Sequence, residues 1–384
     1  MHGSSTFSAF SRARRRHLAA GLALAGAGLL LSGGVLAQPT VKLGFIGPLS
    51  GGNAQQGLGA KNGFLLAIDQ WNAAPDAPFK VQGVVLDDAS DPQTGVSAAL
   101  KLVNDRSVVG ATGHWNSPVA LATLPVFHRS QMPFIVWGAI SPKITEQNLP
   151  NTTRVTPTLV NENKPLAQWA AGELGAKKIA IVSDTSDYGR ANETWFGTFF
   201  KEAGGQVVAS ESFPVGTTDF RAILTKVRGL QPDAVYFGGV ITEAGILRRQ
   251  MADLGMKQPM LSISGIFDPQ LIKIAGAAAD GVMVGVPVAQ NNPKLEAMNK
   301  AYAEKGYAEA QSPYTKYAYD ATGLLLDALK TAGLKDKAAV AKAIRAARYD
   351  GALGTTTFDE NGQTQIPVDI QIHTVKNGEW VKHE

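Results

Sequence analysis

The chain alternates short apolar runs with amphipathic stretches, and it does so in two consecutive series. In the first series, residues 41–47 have the pattern of a buried strand, and apolar side chains then recur at helical spacing over 60–71. Further strands are predicted at 79–86, in the stretch that ends at Thr112, and at 134–137, each followed by a helical pattern. This repetition of strand and helix predicts a parallel sheet with helices on both faces.

A second series of the same kind begins after residue 153. Its predicted strands are short, apolar and separated by helical patterns, and they lie at 178–183, 206–212, 234–237, 260–263 and 282–286. Two α/β series in one chain predict two similar lobes, each with its own sheet.

The last hundred residues have a different pattern. Helices are predicted at 293–305, 314–332 and 337–347, and we expect them to return to the first lobe. A hairpin is predicted next, because Asn361-Gly362 favours a type I′ turn and apolar residues alternate after it. We therefore expect 38–158 with about 288–358 to form the first lobe, and 159–287 with about 359–384 to form the second lobe and the hinge.

The first 37 residues have the pattern of an export signal. Four arginines between residues 12 and 16 precede an apolar core at 18–31, and Val35-Leu36-Ala37 fits a signal-peptidase site. The apolar core is too short to span a membrane, which takes about 20 residues. The Arg14-Arg15 pair also resembles a twin-arginine signal, so both export routes stay open. Cleavage after Ala37 would release an exported, soluble protein.

Charge and cysteine content exclude several classes of function. The leader holds four of the 36 basic residues and none of the 32 acidic ones, so the remaining chain is balanced. A balanced charge gives no reason to expect nucleic acid or an anionic membrane as partner. The chain has no cysteine, hence neither a disulfide nor a thiol nucleophile.

Motifs for catalysis or cofactor binding are not found. The Gly-rich stretch 50–59 lies between a predicted strand and helix, but it lacks the third glycine of a dinucleotide loop and the Lys-Ser/Thr of a P-loop. It fits better as a turn that approaches a small ligand. The six histidines show no metal-ligand spacing, and no Gly-x-Ser-x-Gly follows a strand. We expect no enzyme activity, no cofactor and no metal.

The strongest local signal is the stretch 113–118. Ser117-Pro118 predicts a helix start with Ser117 as N-cap, and Ser141-Pro142 repeats the arrangement one strand later. Such helix starts attract anions, and both lie at carboxyl ends of parallel strands, where open α/β sheets bind ligands. Helix capping alone, without a bound ligand, explains the residues at either helix start equally well.

Taken together, these motifs resemble one family, the periplasmic branched-chain amino-acid-binding proteins, which are the solute receptors of ABC importers. The resemblance runs from about residue 41 to 362. Its motifs are Gly-Pro-Leu-Ser-Gly at 47–51, Asp-Asp-Ala-Ser-Asp-Pro at 87–92, Gly-His-Trp-Asn-Ser at 113–117, Asp-Tyr-Gly at 187–189, Thr-Asp-Phe at 218–220 and Phe-Gly-Gly at 237–239. It implies a type I periplasmic-binding fold: two Rossmann-like lobes with parallel sheets, joined by a three-strand hinge and closing on a solute like a Venus flytrap.

The resemblance also implies the site residues. The serine that holds the ligand carboxylate matches Ser117, and a wall residue matches Trp115, next to Asn116. The following strand-end loop, which supplies backbone groups and a hydroxyl, matches Gly138, Ala139, Ile140 and Ser141. The closing tyrosine of the second lobe matches Tyr188, and the aromatic residue near the late helix matches Tyr314.

Three positions depart from the family's pattern. The acid that holds the ligand's α-ammonium is matched by Ser264, which cannot neutralise a desolvated cation. Two expected tyrosines are matched by Val240 and Gln56. Glu243 lies nearby and remains a candidate substitute. The solute is therefore expected to be a small hydrophobic amino acid or related carboxylate; an aromatic carboxylate or an amide is the alternative.

The implied role is binding in the periplasm and delivery to an inner-membrane ABC permease, without a catalysed reaction. We expect a monomer that takes a small-molecule solute and no nucleic acid. A ligand sensor of the same fold is the alternative role.

Overall fold

The computed structural model describes residues 38–384, and Thr40–Glu384 forms one compact unit. The predicted signal peptide, residues 1–37, lies outside the described residues. Across residues 38–384, every helix is too short or too polar to cross a membrane.

The first sheet has five parallel strands in the order β2-β1-β3-β4-β5. The strands are β1 (Thr40–Gly47), β2 (Lys80–Asp87), β3 (Val108–Thr112), β4 (Phe134–Val136) and β5 (Thr152–Arg154). The helices between them are α1 (Ala54–Ala73), α2 (Pro92–Asn104), α3 (Ser117–Arg129) and the single turn α4 (Lys143–Glu146). This sheet and the helices packed on it form the first lobe.

The second sheet has seven strands in the order β14-β13-β10-β9-β8-β6-β7. Its parallel part consists of β6 (Lys178–Asp184), β7 (Gln206–Phe213), β8 (Ala234–Gly238), β9 (Met260–Ile263) and β10 (Val282–Val288). Its helices are α5 (Leu159–Gly172), α6 (Asp187–Glu202), α7 (Arg221–Gly229), α8 (Ile241–Asp253) and α9 (Pro269–Ala275). This sheet and its helices form the second lobe.

The late helices pack on the first lobe. They are α10 (Pro293–Lys305), α11 (Thr315–Ala332) and α12 (Lys337–Arg345), and α11 lies along α1. The short pair β11 (Tyr349–Gly351) and β12 (Gly354–Thr356) follows them, and β13 (Asp369–Lys376) and β14 (Glu379–Lys382) then complete the second sheet in antiparallel orientation.

The predicted hairpin at Asn361-Gly362 is wrong. That dipeptide closes a turn with one isolated bridge, between Phe358 and Thr364. The true hairpin joins β13 to β14 through Asn377-Gly378, where both residues have positive φ, +56° and +77°, as a type I′ turn requires.

The chain passes between the two sheets three times, after β5, after β10 and after β12. The passages after β5 and β12 carry Pro157 and Pro367, and Pro287 lies in the last residues of β10, just before the remaining passage. All three prolines line one cavity of about 300 Å³. Since proline fixes φ, fewer backbone torsions are free to rotate at these points than in an ordinary linker.

Candidate functional site

A cavity of about 240 Å³ lies between the two lobes, at the carboxyl ends of strands from both sheets. Eight of the twelve residues expected at the site line it: Trp115, Asn116, Ser117, Gly138, Ile140, Tyr188, Val240 and Tyr314. Gly52 and Asn53, from the Gly-rich turn before α1, line it too. The other four expected residues do not line this cavity: Ala139, Ser141, Ser264 and Gln56.

Ser117 was predicted to be the N-cap of α3, and this prediction is wrong. Asn116 occupies the N-cap position, without a side-chain cap bond, and Ser117 is the first helical residue. The Ser117 hydroxyl oxygen instead accepts a hydrogen bond from the backbone N–H of Ser141 at 3.1 Å. This bond uses a lone pair, so the hydroxyl proton of Ser117 can still be donated to a ligand.

Ser141 does not open a long helix either. Pro142 is the cap of α4, which has only four residues. Ser141 is fully buried, and its hydroxyl has no hydrogen-bond partner among the described residues. Its role in the structure is to connect the loop at 138–141 to the start of α3.

A buried arginine holds the same loop from behind. The guanidinium of Arg154 donates to the carbonyl of Ser141 at 2.5 Å and to that of Ala139 at 3.3 Å. It also donates to the side chains of Gln363 at 2.7 Å and Thr145 at 3.0 Å. Burial lowers the pKa of Arg154 to about 9. Because its donors are spread over four acceptors, this residue fixes the backbone beside the cavity.

A second buried network fixes the residue before Trp115. The Nδ1 atom of His114 lies 2.8 Å from Asp88 Oδ2, and its Nε2 atom lies 3.0 Å from Thr123 Oγ1. All three side chains are buried. Since both ring nitrogens are engaged, the imidazole is held in place, and with it the backbone that leads into Trp115.

Aromatic rings from both lobes form the walls. Trp115 and Tyr314 meet edge to face with ring centroids 6.1 Å apart, and Trp137 contacts Tyr314 from behind at 6.2 Å. Tyr188 comes from the first turn of α6 in the second lobe and is buried. Such rings offer large apolar surfaces for a hydrophobic or aromatic group.

Several buried polar atoms of the lining residues have no partner among the described residues. They include Asn53 Oδ1, Asn116 Oδ1 and the Tyr188 hydroxyl. Buried polar groups in proteins are nearly always hydrogen-bonded. These atoms are therefore suited to bind the polar groups of a ligand.

Two carboxylates of the second lobe also line the cavity. Glu243 lies in the first turn of α8 and accepts from the N–H of Gly216 at 2.9 Å. Asp184, the last residue of β6, is buried and accepts from the N–H of Ser186 at 2.8 Å. Burial raises the pKa of Asp184, and the charge of Glu243 raises it further.

Ser264 faces a second cavity, of about 200 Å³, behind Ile140 and Tyr314, which line both cavities. There the backbone N–H of Ser264 donates to Glu162 Oε2 at 3.0 Å. Glu162 is 1% exposed, and burial raises its pKa to about 7. No motif of the sequence marks Glu162, although Leu159 and Leu166 on the same helical face show that position 162 points inward.

The raised pKa of Glu162 predicts a pH dependence of stability. Burial favours the protonated form, so the folded protein binds this proton more tightly than the unfolded chain, whose carboxyl keeps a pKa near 4.5. The cost of keeping Glu162 ionised in the folded protein is absent below pH 4.5 and complete above about pH 7. The free energy of unfolding should therefore fall across this window, by at most about 3 kcal/mol.

Denaturant unfolding of wild type and Glu162→Gln at several pH values measures this contribution as the difference between the two curves. Asp320, whose pKa burial also raises to about 7, and His373 are not electrostatic partners of Glu162 and contribute to both proteins alike. The neighbouring tyrosines Tyr188, Tyr236, Tyr314 and Tyr317 have pKa values raised above 10 and stay neutral throughout this window. A difference that stays constant with pH would contradict the assignment.

Gln56 is buried and joins the two lobes. Its side-chain amide donates to Asp268 Oδ2 of the second lobe at 2.6 Å, in a buried position. Lys143 and Asp187 form a second contact between the lobes, an exposed ion pair of 3.1 Å. The structure therefore places Gln56 in an interlobe contact and outside the lining of the cleft cavity.

Comparison with known proteins agrees with this architecture. The family model described as periplasmic binding protein matches residues 40–379. The Leu/Ile/Val-binding protein homolog 1 of Brucella melitensis is 33% identical over 92% of this chain and 94% of its own length. The chain belongs to the periplasmic binding protein family, and the resemblance to its branched-chain amino-acid-binding members is confirmed.

Two solved structures show the range of solutes among similar proteins. The branched-chain amino acid transporter substrate-binding protein of Streptococcus pneumoniae, in complex with isoleucine, has a TM-score of 0.80 and 27% identity, over 90% of this chain and all of that one. An ABC transporter solute-binding protein of Rhodopseudomonas palustris BisB5, in complex with 3,4-dihydroxybenzoic acid, has a TM-score of 0.76 and 26% identity, over 90% of this chain and 96% of that one.

Proposed function

We propose that this protein is the periplasmic solute receptor of an ABC importer and that it binds a small carboxylate between its lobes without transforming it. The observation that carries the proposal is the interlobe cavity, which has aromatic walls and the hydrogen-bonding groups of Ser117 and Asn116 at the start of α3. Helix starts favour anions because their N–H groups and dipole point at them.

The solute class follows from the cavity's size and walls. A cavity of about 240 Å³ holds a molecule the size of an amino acid or a benzoate, and its rings suit an apolar body. The relatives and the isoleucine complex support a hydrophobic amino acid. The dihydroxybenzoate complex supports the second candidate, an aromatic carboxylate.

A thermal-shift panel of hydrophobic amino acids, aryl carboxylates and their amides tests the proposal, because a ligand of the folded state raises the melting temperature. We expect carboxylates to shift the melting temperature and the matching amides to shift it less. A panel in which no carboxylate binds would refute the proposed function.

Ser117→Ala should weaken binding of the carboxylate identified in this panel by about 1–3 kcal/mol, since a hydrogen bond to a charged group is lost. Calorimetry measures the affinity. Ser97→Ala is the matched control, because Ser97 is a helical serine whose hydroxyl bonds only to the carbonyl of Gln93, on the exposed side of α2. Equal affinities for wild type and Ser117→Ala would remove Ser117 from the site.

A further inference from the structure

We propose that Ile140 and Tyr314 set the upper limit on the length of the solute, so that the receptor takes compact carboxylates and rejects longer ones of the same chemistry. This inference rests on the proposed function and names the substrate class within it. It starts from the two side chains that line both the cleft cavity and the second cavity behind it. Together they form a partition between the two spaces.

The space behind the partition could hold part of a solute. The second cavity, of about 200 Å³, is nearly as large as the cleft cavity of about 240 Å³. Its walls are mostly aliphatic, prolyl or aromatic, among them Phe267, Val286 and Pro287. Such walls suit an alkyl chain, since each methylene buried against them adds to the affinity. Without the partition, the site would therefore admit a solute with a much longer apolar body.

The backbone at Tyr314 is fixed by the helix that it begins. Tyr314 is the N-cap residue of α11, and its carbonyl accepts from the N–H groups of Tyr317 and Ala318, each at 3.1 Å. Its own N–H donates to the hydroxyl of Ser312 at 3.3 Å. Because α11 is 18 residues long and packs along α1, this half of the partition cannot yield through a local backbone shift.

The ring of Tyr314 is held from both lobes. Trp115 and Trp137 contact it from the first lobe, with ring centroids 6.1 and 6.2 Å away. From the second lobe, the hydroxyl of Ser264 lies 3.3 Å from the hydroxyl of Tyr314. Glu162 in turn holds Ser264 by accepting its backbone N–H at 3.0 Å. A solute that pushed the ring aside would have to break these contacts.

The other half of the partition is equally well held. Ile140 is buried, and its carbonyl accepts from the N–H of Leu159 at 3.0 Å. The carbonyls on either side of it, those of Ala139 and Ser141, accept from Arg154. A β-branched side chain on a fixed backbone has few rotamers. A solute longer than the cleft cavity would therefore have to displace packed side chains, which costs affinity.

The experiment measures affinity along two homologous series of carboxylates by calorimetry. One series consists of straight-chain amino acids from 2-aminobutanoate to 2-aminodecanoate, and the other of phenylalkanoates from benzoate to 5-phenylpentanoate. The proteins are wild type, Tyr314→Ala, Ile140→Ala and the matched control Tyr319→Ala. Tyr319 lies on the same helix, donates to the side chain of Gln70 and lines neither cavity.

In wild type, the affinity within a series should rise about fourfold per methylene up to the member that fills the cleft cavity. The next members should bind at least about tenfold more weakly, because they meet the partition. Tyr314→Ala should move the optimum to a longer member and bind that member at least about tenfold more tightly than wild type does. Ile140→Ala should move the optimum in the same direction by less, and Tyr319→Ala should keep it.

A gain of affinity for a longer solute cannot come from general damage to the site, so the position of the optimum separates the two effects. If no member of either series binds wild type, the proposed function fails. If wild type binds without a drop beyond an optimal length, or if both partition variants keep the wild-type optimum, the present inference alone is overturned. Thermal unfolding reports whether each variant is folded, and Ile140→Ala decides the matter if Tyr314→Ala does not fold.

Discussion

Arg154→Met should lower the free energy of unfolding by about 3–5 kcal/mol and weaken solute binding by about tenfold or more. Methionine fills much of the volume but donates no hydrogen bond. The carbonyls of Ser141 and Ala139, both in a buried loop, would then lose their partner. Each buried acceptor left unsatisfied costs about 1–3 kcal/mol.

The loss of affinity has a separate cause. Gly138 and Ile140 belong to the same loop and line the cavity, so a loop released from Arg154 no longer presents them in one arrangement. Denaturant unfolding and calorimetry measure the two effects.

Arg345→Met is the matched control. Arg345 also donates to backbone carbonyls, those of Leu149 at 2.6 Å and Glu360 at 2.8 Å, but it is remote from the lining of the cavity. We expect a loss of stability with unchanged affinity. If Arg154→Met affected stability alone as well, the proposed support of the ligand loop would be refuted.

Gly265→Ala should reduce solute affinity by at least about tenfold while changing stability little. A Cβ atom at position 265 would collide with the hydroxyl of Tyr188. Tyr188 must then swing away, and the direction open to it is the ligand cavity that it lines. The substitution thus displaces the closing ring without touching the first lobe.

A second substitution separates this mechanism from a general disturbance. In Gly265→Ala/Tyr188→Phe the colliding oxygen is gone and the nearest atom is the ring's Cζ, 3.0 Å from the added Cβ, so part of the affinity should return. Gly172→Ala is the control, because a Cβ there meets no atom within 4 Å. A double variant as weak as Gly265→Ala would mean that the ring's displacement is not the cause.

The sequence predicted the elements whose signals are local. The helix predicted near 293–305 agrees with α10, and both of its ends carry local signals. Asn292 caps it by accepting from the N–H groups of Lys294 and Leu295, and Gly306 ends it in the left-handed conformation. The hairpin was misplaced because Asn361-Gly362 and Asn377-Gly378 are the same dipeptide. Only the pairing of β13 with β10 decides between them, and that pairing is not local.

The residues of the site were likewise predicted where their signals are local and missed where their partners are distant. Ser117 and Tyr188 sit at strand ends within recognisable motifs, so their place beside the cavity was predicted. Glu162 and Gln56 were missed or assigned differently because their partners are distant, 102 residues away at Ser264 and 212 residues away at Asp268. Contacts between lobes have no periodic signature, so only the folded chain reveals them.

The bond between Gln56 and Asp268 bears on how such a receptor is regulated. It exists only while the lobes are together, and both of its partners belong to the protein. Part of the free energy of closure is therefore present before any solute arrives, and the solute supplies only the remainder. If the proposed function holds, empty closed molecules would compete with loaded ones for the transporter, so the strength of this bond, together with the other contacts between the lobes, would limit how faithfully uptake follows the outside concentration.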